Sequence, residues 1–128
     1  MKTGILFGTA ALVFASAGFG RDIYRKDSSG SSAYCYVREA NNNGKQESRE
    51  MCYVLAKDGS LRFAELLRKE GDRTRLIAGF YLTSDESKYT VNKEGVEILF
   101  LTKNMPVWQR MEFDAKIAKK EYDNRQKK

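Results

Sequence analysis

The chain has 128 residues, 41% of them hydrophobic and 31% charged, with a net charge of +6 and no histidine. The missing imidazole excludes Ser-His-Asp and Cys-His catalysis and His-ligated zinc or iron, and a chain of this length has room for one modest core. No Gly-rich phosphate loop and no acidic calcium loop occurs in the sequence.

Met1-Lys2-Thr3 precede an apolar run from Ile5 to Phe14 and a small-x-small site at Ala15-Ser16-Ala17. That is the pattern of a bacterial secretory signal peptide over residues 1–17. It predicts a soluble exported product, periplasmic or secreted. An uncleaved anchor competes with this reading, but the apolar stretch is at the short end of the roughly 17–25 residues that span a bilayer. Residues 18–32 end in Ser-Ser-Gly-Ser-Ser and read as a flexible lead-in to a single domain over 33–128.

Turn signals then recur at Asn43-Gly44, Asp58-Gly59, Glu70-Gly71-Asp72, Thr83-Ser84-Asp85-Glu86 and Lys93-Glu94-Gly95. The runs between them are rich in Val, Ile, Leu, Tyr and Phe at the spacing of short consecutive strands. The expectation is a mainly β fold, an up-and-down antiparallel meander over 33–102 with strands at 33–40, 49–57, 60–69, 73–83, 88–92 and 96–102. A two-residue turn at Asp58-Gly59 would pair Lys57 with Ser60, Ala56 with Leu61 and Val54 with Phe63. The run 60–70 also fits a helical stripe through Leu61, Ala64 and Leu67, so strand and helix both stand open there.

Pro106, the sole proline, suits a first helical position, and Trp108, Met111, Ala115, Ala118 and Tyr122 repeat at three and four. These predict an amphipathic helix over 107–124 docked on the sheet. Its polar side and the tail after it carry Lys119, Lys120, Lys127 and Lys128, a cationic surface able to touch an anionic envelope polymer or lipid.

Asn43-Gly44 is a strong hairpin signal because a type I′ turn needs positive φ at both central residues. Partner numbers across such a hairpin sum to 87, which sets Cys35 opposite Cys52 at a non-hydrogen-bonded pair, with Cα atoms about 4.5 Å apart. A disulfide follows. The same register sets Tyr34 opposite Tyr53 and Tyr36 opposite Met51 on the other face, where the tyrosines are either core or a binding surface.

One stretch resembles a known family. Ser84-Asp85-Glu86-Ser87-Lys88-Tyr89 and Phe100-Leu101-Thr102-Lys103 are similar to the Ser-x-x-x-Tyr and Phe-x-x-Lys stretches of periplasmic inhibitors of c-type lysozyme. The resemblance implies a small exported antiparallel β protein that inserts a Ser and a Lys into an enzyme cleft, with Ser84, Ser87 and Lys103 as the contacts. Asn104 stands where that family has Gly after its Lys.

Two functional expectations result. The first is a non-enzymatic, cofactor-free binding protein of inhibitor or immunity type with a protein partner and no nucleic acid. The second is an envelope-associated structural or adhesion-accessory protein that uses its basic C-terminal helix on anionic polymer or lipid.

Overall fold

The structure, a computed structural model, describes residues 22–42, 44–84 and 88–127. Among these, strands β1 (Asp22–Ser28), β2 (Ser31–Asn42), β3 (Lys45–Ala56), β4 (Leu61–Glu70), β5 (Arg73–Leu82), β6 (Lys88–Val91) and β7 (Glu97–Leu101) precede helix α1 (Pro106–Gln126). They form one seven-stranded sheet in the order β1-β2-β3-β4-β5-β7-β6. The chain is thus mainly β, mostly antiparallel, with one C-terminal helix. The expected signal peptide, residues 1–17, lies outside the described residues.

Of the segment expected as a flexible lead-in, residues 18–21 lie outside the described residues, and residues 22–32 form β1 and a tight hairpin into β2 instead. Ser28 pairs with Ser31, leaving Ser29 and Gly30 as a two-residue turn in which Gly30 adopts a φ of 75°. Such a turn matches the twist of its strands and needs positive φ, which glycine takes without a steric cost. β1 is then held by its pairing with β2 and by Ile23, which packs against the core.

Residues 61–70, where helical spacing competes, are strand β4 between β3 and β5. Pairing on both sides outweighs the helix propensity of Ala, Leu and Glu, which is worth only tenths of a kcal/mol per residue. The turn before it differs from the expected two-residue form. Ala56 N–H donates to Ser60 at 2.9 Å, and Gly59 sits at φ 89°, which makes a three-residue loop of Lys57, Asp58 and Gly59. Leu61 therefore faces Leu55, not Ala56, and a bulge restores the expected pairing of Val54 with Phe63.

The last strands also depart from a simple meander. β7 runs parallel to β5, and β6 lies outside it at the edge of the sheet. Burial explains the inversion: Leu99 and Leu101 of β7 are core residues, whereas all four residues of β6 are exposed. The apolar strand takes the interior place and the polar one the edge, where charge and shortness also discourage sheet-to-sheet association.

Helix α1 covers one face of the sheet. Trp108, Met111, Ala115 and Ala118 meet Tyr34, Tyr36, Met51, Tyr53, Leu55, Leu61, Ala64, Leu66, Ala78, Phe80, Leu99 and Leu101 in one cluster. Pro106 occupies the first turn, where its missing N–H costs nothing. No helix among the described residues is long and apolar enough to cross a membrane.

Candidate functional site

Tyr34, Tyr36 and Tyr53, the tyrosines expected to share one face, do share it, and α1 lies on top of them. Tyr53 is fully buried, and Tyr34 and Tyr36 nearly so. The Tyr36 hydroxyl donates to Glu121 at 2.8 Å, and the Tyr34 ring meets Tyr122 edge-on with centroids 5.7 Å apart. Burial and the Glu121 carboxylate push the Tyr36 phenol well above its ordinary value. Of the two readings these tyrosines are core, because the helix they support removes them from any partner's reach.

No helix among the described residues covers the opposite face, and its register assembles a row through all seven described strands. Lys26 faces Ala33, Ala33 faces Val54, Val54 faces Phe63, Phe63 faces Tyr81, Tyr81 faces Phe100 and Phe100 faces Lys88. Two lysines thus bracket an apolar strip. Within it the Phe63 and Tyr81 rings stack at 5.7 Å, and the Tyr81 and Phe100 rings lie tilted at 5.8 Å. None of these three aromatics belongs to the core cluster under the helix, and Phe100 is 37% exposed.

The neighbouring row on this face holds Tyr24, Cys35, Cys52, Glu65, Gly79 and Ile98 in register. Cys35 and Cys52 form the expected disulfide, their Cα atoms 4.1 Å apart. A bridge of this kind fits a small protein that folds outside the reducing cytoplasm. On either side of it a tyrosine hydroxyl donates to a carboxylate across strands, Tyr24 to Glu50 at 2.6 Å and Tyr81 to Glu65 at 3.0 Å. Desolvation and the Glu65 carboxylate push the Tyr81 phenol up to about 12, and the same causes act on Tyr24 beside Glu50. Gly79 makes room for this arrangement: a Cβ there would lie 2.5 Å from the Tyr81 ring. The result is a cross-linked surface on which Tyr24 and Glu50, and Tyr81 and Glu65, are already paired and the aromatic rings are pre-positioned.

Ser84 and Lys103, contacts implied by the lysozyme-inhibitor resemblance, are brought together. They line one groove of about 470 Å³ with Leu82, Thr83, Thr102 and Asn104, at the C-terminal ends of the parallel strands β5 and β7. Parallel pairing creates this neighbourhood by delivering both chain segments to the same end of the sheet. Ser87 lies outside the described residues.

The helix lysines gather elsewhere. Lys119, Lys120 and Lys127 join Lys116 along a groove of about 590 Å³ between α1 and the Asp58-Gly59 turn. Its three carboxylates are engaged: Asp58 accepts from the Ser60 hydroxyl at 2.6 Å, Glu112 from the Leu61 N–H at 3.5 Å, and Asp123 from Lys119 at 3.1 Å. Hydrogen bonds from Ser60 hold the Asp58 carboxyl below its ordinary value. Lys128 lies outside the described residues.

The Phe63, Tyr81 and Phe100 row is the feature that sequence reading missed. Alternation marks Phe63 and Tyr81 as sharing a face within their own strands, but the pairing of Tyr81 with Phe100 depends on the parallel insertion of β7. Among the described residues no three Cys, Asp or Glu side chains gather where they could hold a metal ion. Searches against protein-family models, curated proteins and solved structures found no match to the chain.

Proposed function

We propose that this chain is an exported, disulfide-bonded binding protein that acts by stoichiometric protein–protein interaction and not by turnover. The helix-free face is the docking surface. The observation that carries the reading is the Phe63–Tyr81–Phe100 row, left uncovered on a sheet cross-linked by Cys35–Cys52. Aromatic anchors supply most of the energy in such interfaces, and a rigid strand scaffold loses little conformational freedom on docking. The Ser84 and Lys103 groove opens at the Leu82 and Leu101 ends of β5 and β7. It supplies polar contacts of the kind that the lysozyme-inhibitor resemblance implies, which makes the cleft of a cell-wall hydrolase the first partner to test.

The test is calorimetric titration of c-type lysozyme, and of proteins captured from the source envelope fraction, with wild type, Phe63→Ser/Phe100→Ser and Ser84→Ala/Lys103→Ala. Saturable binding at a fixed ratio, lost in the aromatic variant while its far-UV dichroism is unchanged, supports the reading. Multiple turnovers of a substrate, or equal binding by the aromatic variant, would falsify it.

The second reading is an envelope protein that holds anionic polymer or lipid through α1, and it draws on the lysine groove beside the Asp58-Gly59 turn. It ranks second because three carboxylates stand among those four lysines and leave a small net charge. Binding of this type would weaken steeply with salt, whereas docking through the aromatic row would not.

A further inference from the structure

The helix-bearing face of the sheet is not covered to its end. Two residues beyond Tyr36, Met51 and Leu66, the register sets four arginines side by side: Arg38 faces Arg49, Arg49 faces Arg68, and Arg68 faces Arg75. Neighbouring strands lie about 4.8 Å apart, so the row spans roughly 14 Å at right angles to the strands. Like charges placed directly opposite one another destabilise a sheet. Four in succession is an arrangement that folding by itself does not favour.

The protein's own acids compensate only part of this charge. Glu47 lies 3.6 Å from Arg49 and 3.9 Å from Arg68, and Glu70 pairs with Arg68 at 3.2 Å. Arg75 donates to the Glu94 carbonyl at 3.2 Å, which leaves its charge unneutralised. No hydrogen bond or ion pair of Arg38 is seen among the described residues, nor does any described residue of α1 pair with the row. Two carboxylates thus serve four guanidinium groups. The Nε atoms of Arg49 and Arg68 are buried, yet these side chains keep 39% and 28% of their surface exposed. Their stems are held while their outer ends remain reachable.

We propose that this arginine row is a binding site for a linear phosphate polymer laid across strands β2 to β5. Guanidinium forks match phosphate oxygens two at a time, which an ammonium cannot do. A chain charged at every unit suits the close spacing of the row. The same-side carboxylates of an extended acidic peptide recur only about every 6.6 Å, two residues at the rise of a strand, and suit it less well. The site lies on the opposite face from the aromatic row and does not depend on the protein-binding reading. It also places anion recognition away from the helix lysines, whose groove supplies its own carboxylates.

Fluorescence anisotropy with labelled short-chain inorganic polyphosphate tests the proposal, with unlabelled orthophosphate and polyglutamate as competitors. Arg38→Gln/Arg75→Gln removes the two guanidinium groups that hold no carboxylate, so the fold should stand; a urea midpoint checks this, and Arg38→Gln alone serves if the double variant is unstable. The expected result is at least about a tenfold loss of affinity in the double variant and about threefold in the single, with less than about twofold in Lys119→Gln/Lys120→Gln. The salt dependence should fall in the arginine variants, because fewer counterions are released. Equal losses in the arginine and lysine variants, or no binding of polyphosphate, would overturn the proposal. Orthophosphate that competes as well as the polymer would overturn the chain-like ligand, and polyglutamate that does so would overturn phosphate as its chemistry.

Discussion

Replacing Trp108 by alanine tests whether the helix-covered face is the core on which the fold depends. Trp108 is 1% exposed and the bulkiest of the fully buried side chains, so its removal takes away a large apolar surface and leaves a void that the flanking strands cannot close. Such changes cost about 3–5 kcal/mol, a large share of the roughly 5–15 kcal/mol that holds a domain of this size folded. With a urea slope of about 2 kcal/mol per molar, the midpoint should fall by roughly 2 M. Far-UV circular dichroism of the disulfide-intact protein is the assay, since no other tryptophan is present to report by fluorescence. Trp108→Phe should cost under about 2 kcal/mol, because it keeps most of the ring volume and deletes a buried Nε1–H that has no protein acceptor. A midpoint for Trp108→Ala within about 0.5 M of wild type at an unchanged slope would refute the reasoning and place the ring in contact with solvent.

Reducing the disulfide, or replacing both cysteines by alanine, should lower stability by about 3 kcal/mol, the chain-entropy value for a loop closed between residues 17 apart; unchanged melting after reduction would contradict it. Gly79→Ala should displace the Tyr81 ring from over the strand, break its bond to Glu65 and cost about 1–3 kcal/mol, read as a lowered melting temperature together with a changed near-ultraviolet tyrosine signal. Burial holds the Asp114 carboxyl above its ordinary value, against the opposing pull of Arg110 3.2 Å away. Folding therefore favours its protonated form, and that contribution is complete below the unfolded value of about 3.9 and is lost as pH rises through the folded value. Relative to Asp114→Asn, the wild type should lose stability across this window; a relative gain would reverse the assignment.

Local chemistry made much of the β2–β3 hairpin readable in advance. Asn43-Gly44 prescribes a turn, a turn prescribes a register, and the register brings Cys35 to Cys52 and Arg38 to Arg49 without help from any other part of the chain. The same register carried the start of the arginine row, and Arg49 keeps Arg68 as the partner expected across Asp58-Gly59 only because the bulge at Val54/Leu55 offsets the longer loop there. A bulge moves every later side chain to the other face, and nothing in the local sequence announces one.

Composition and periodicity alone determined a mainly β chain with a helix after Pro106, because alternation and three-four spacing are properties of single elements. Tertiary structure decided which face the helix covers. Tyr34, Tyr36 and Tyr53 on one side and Val54, Phe63, Tyr81 and Phe100 on the other are both apolar enough to be buried, so the docking of Trp108, Met111 and Ala115 makes one set core and leaves the other as surface. It also decided that β7 enters beside β5 and brings Phe100 to Tyr81 and Lys103 to Ser84. That choice follows from burying Leu99 and Leu101 together with all the other core residues, a sum over the whole molecule that no local pattern contains.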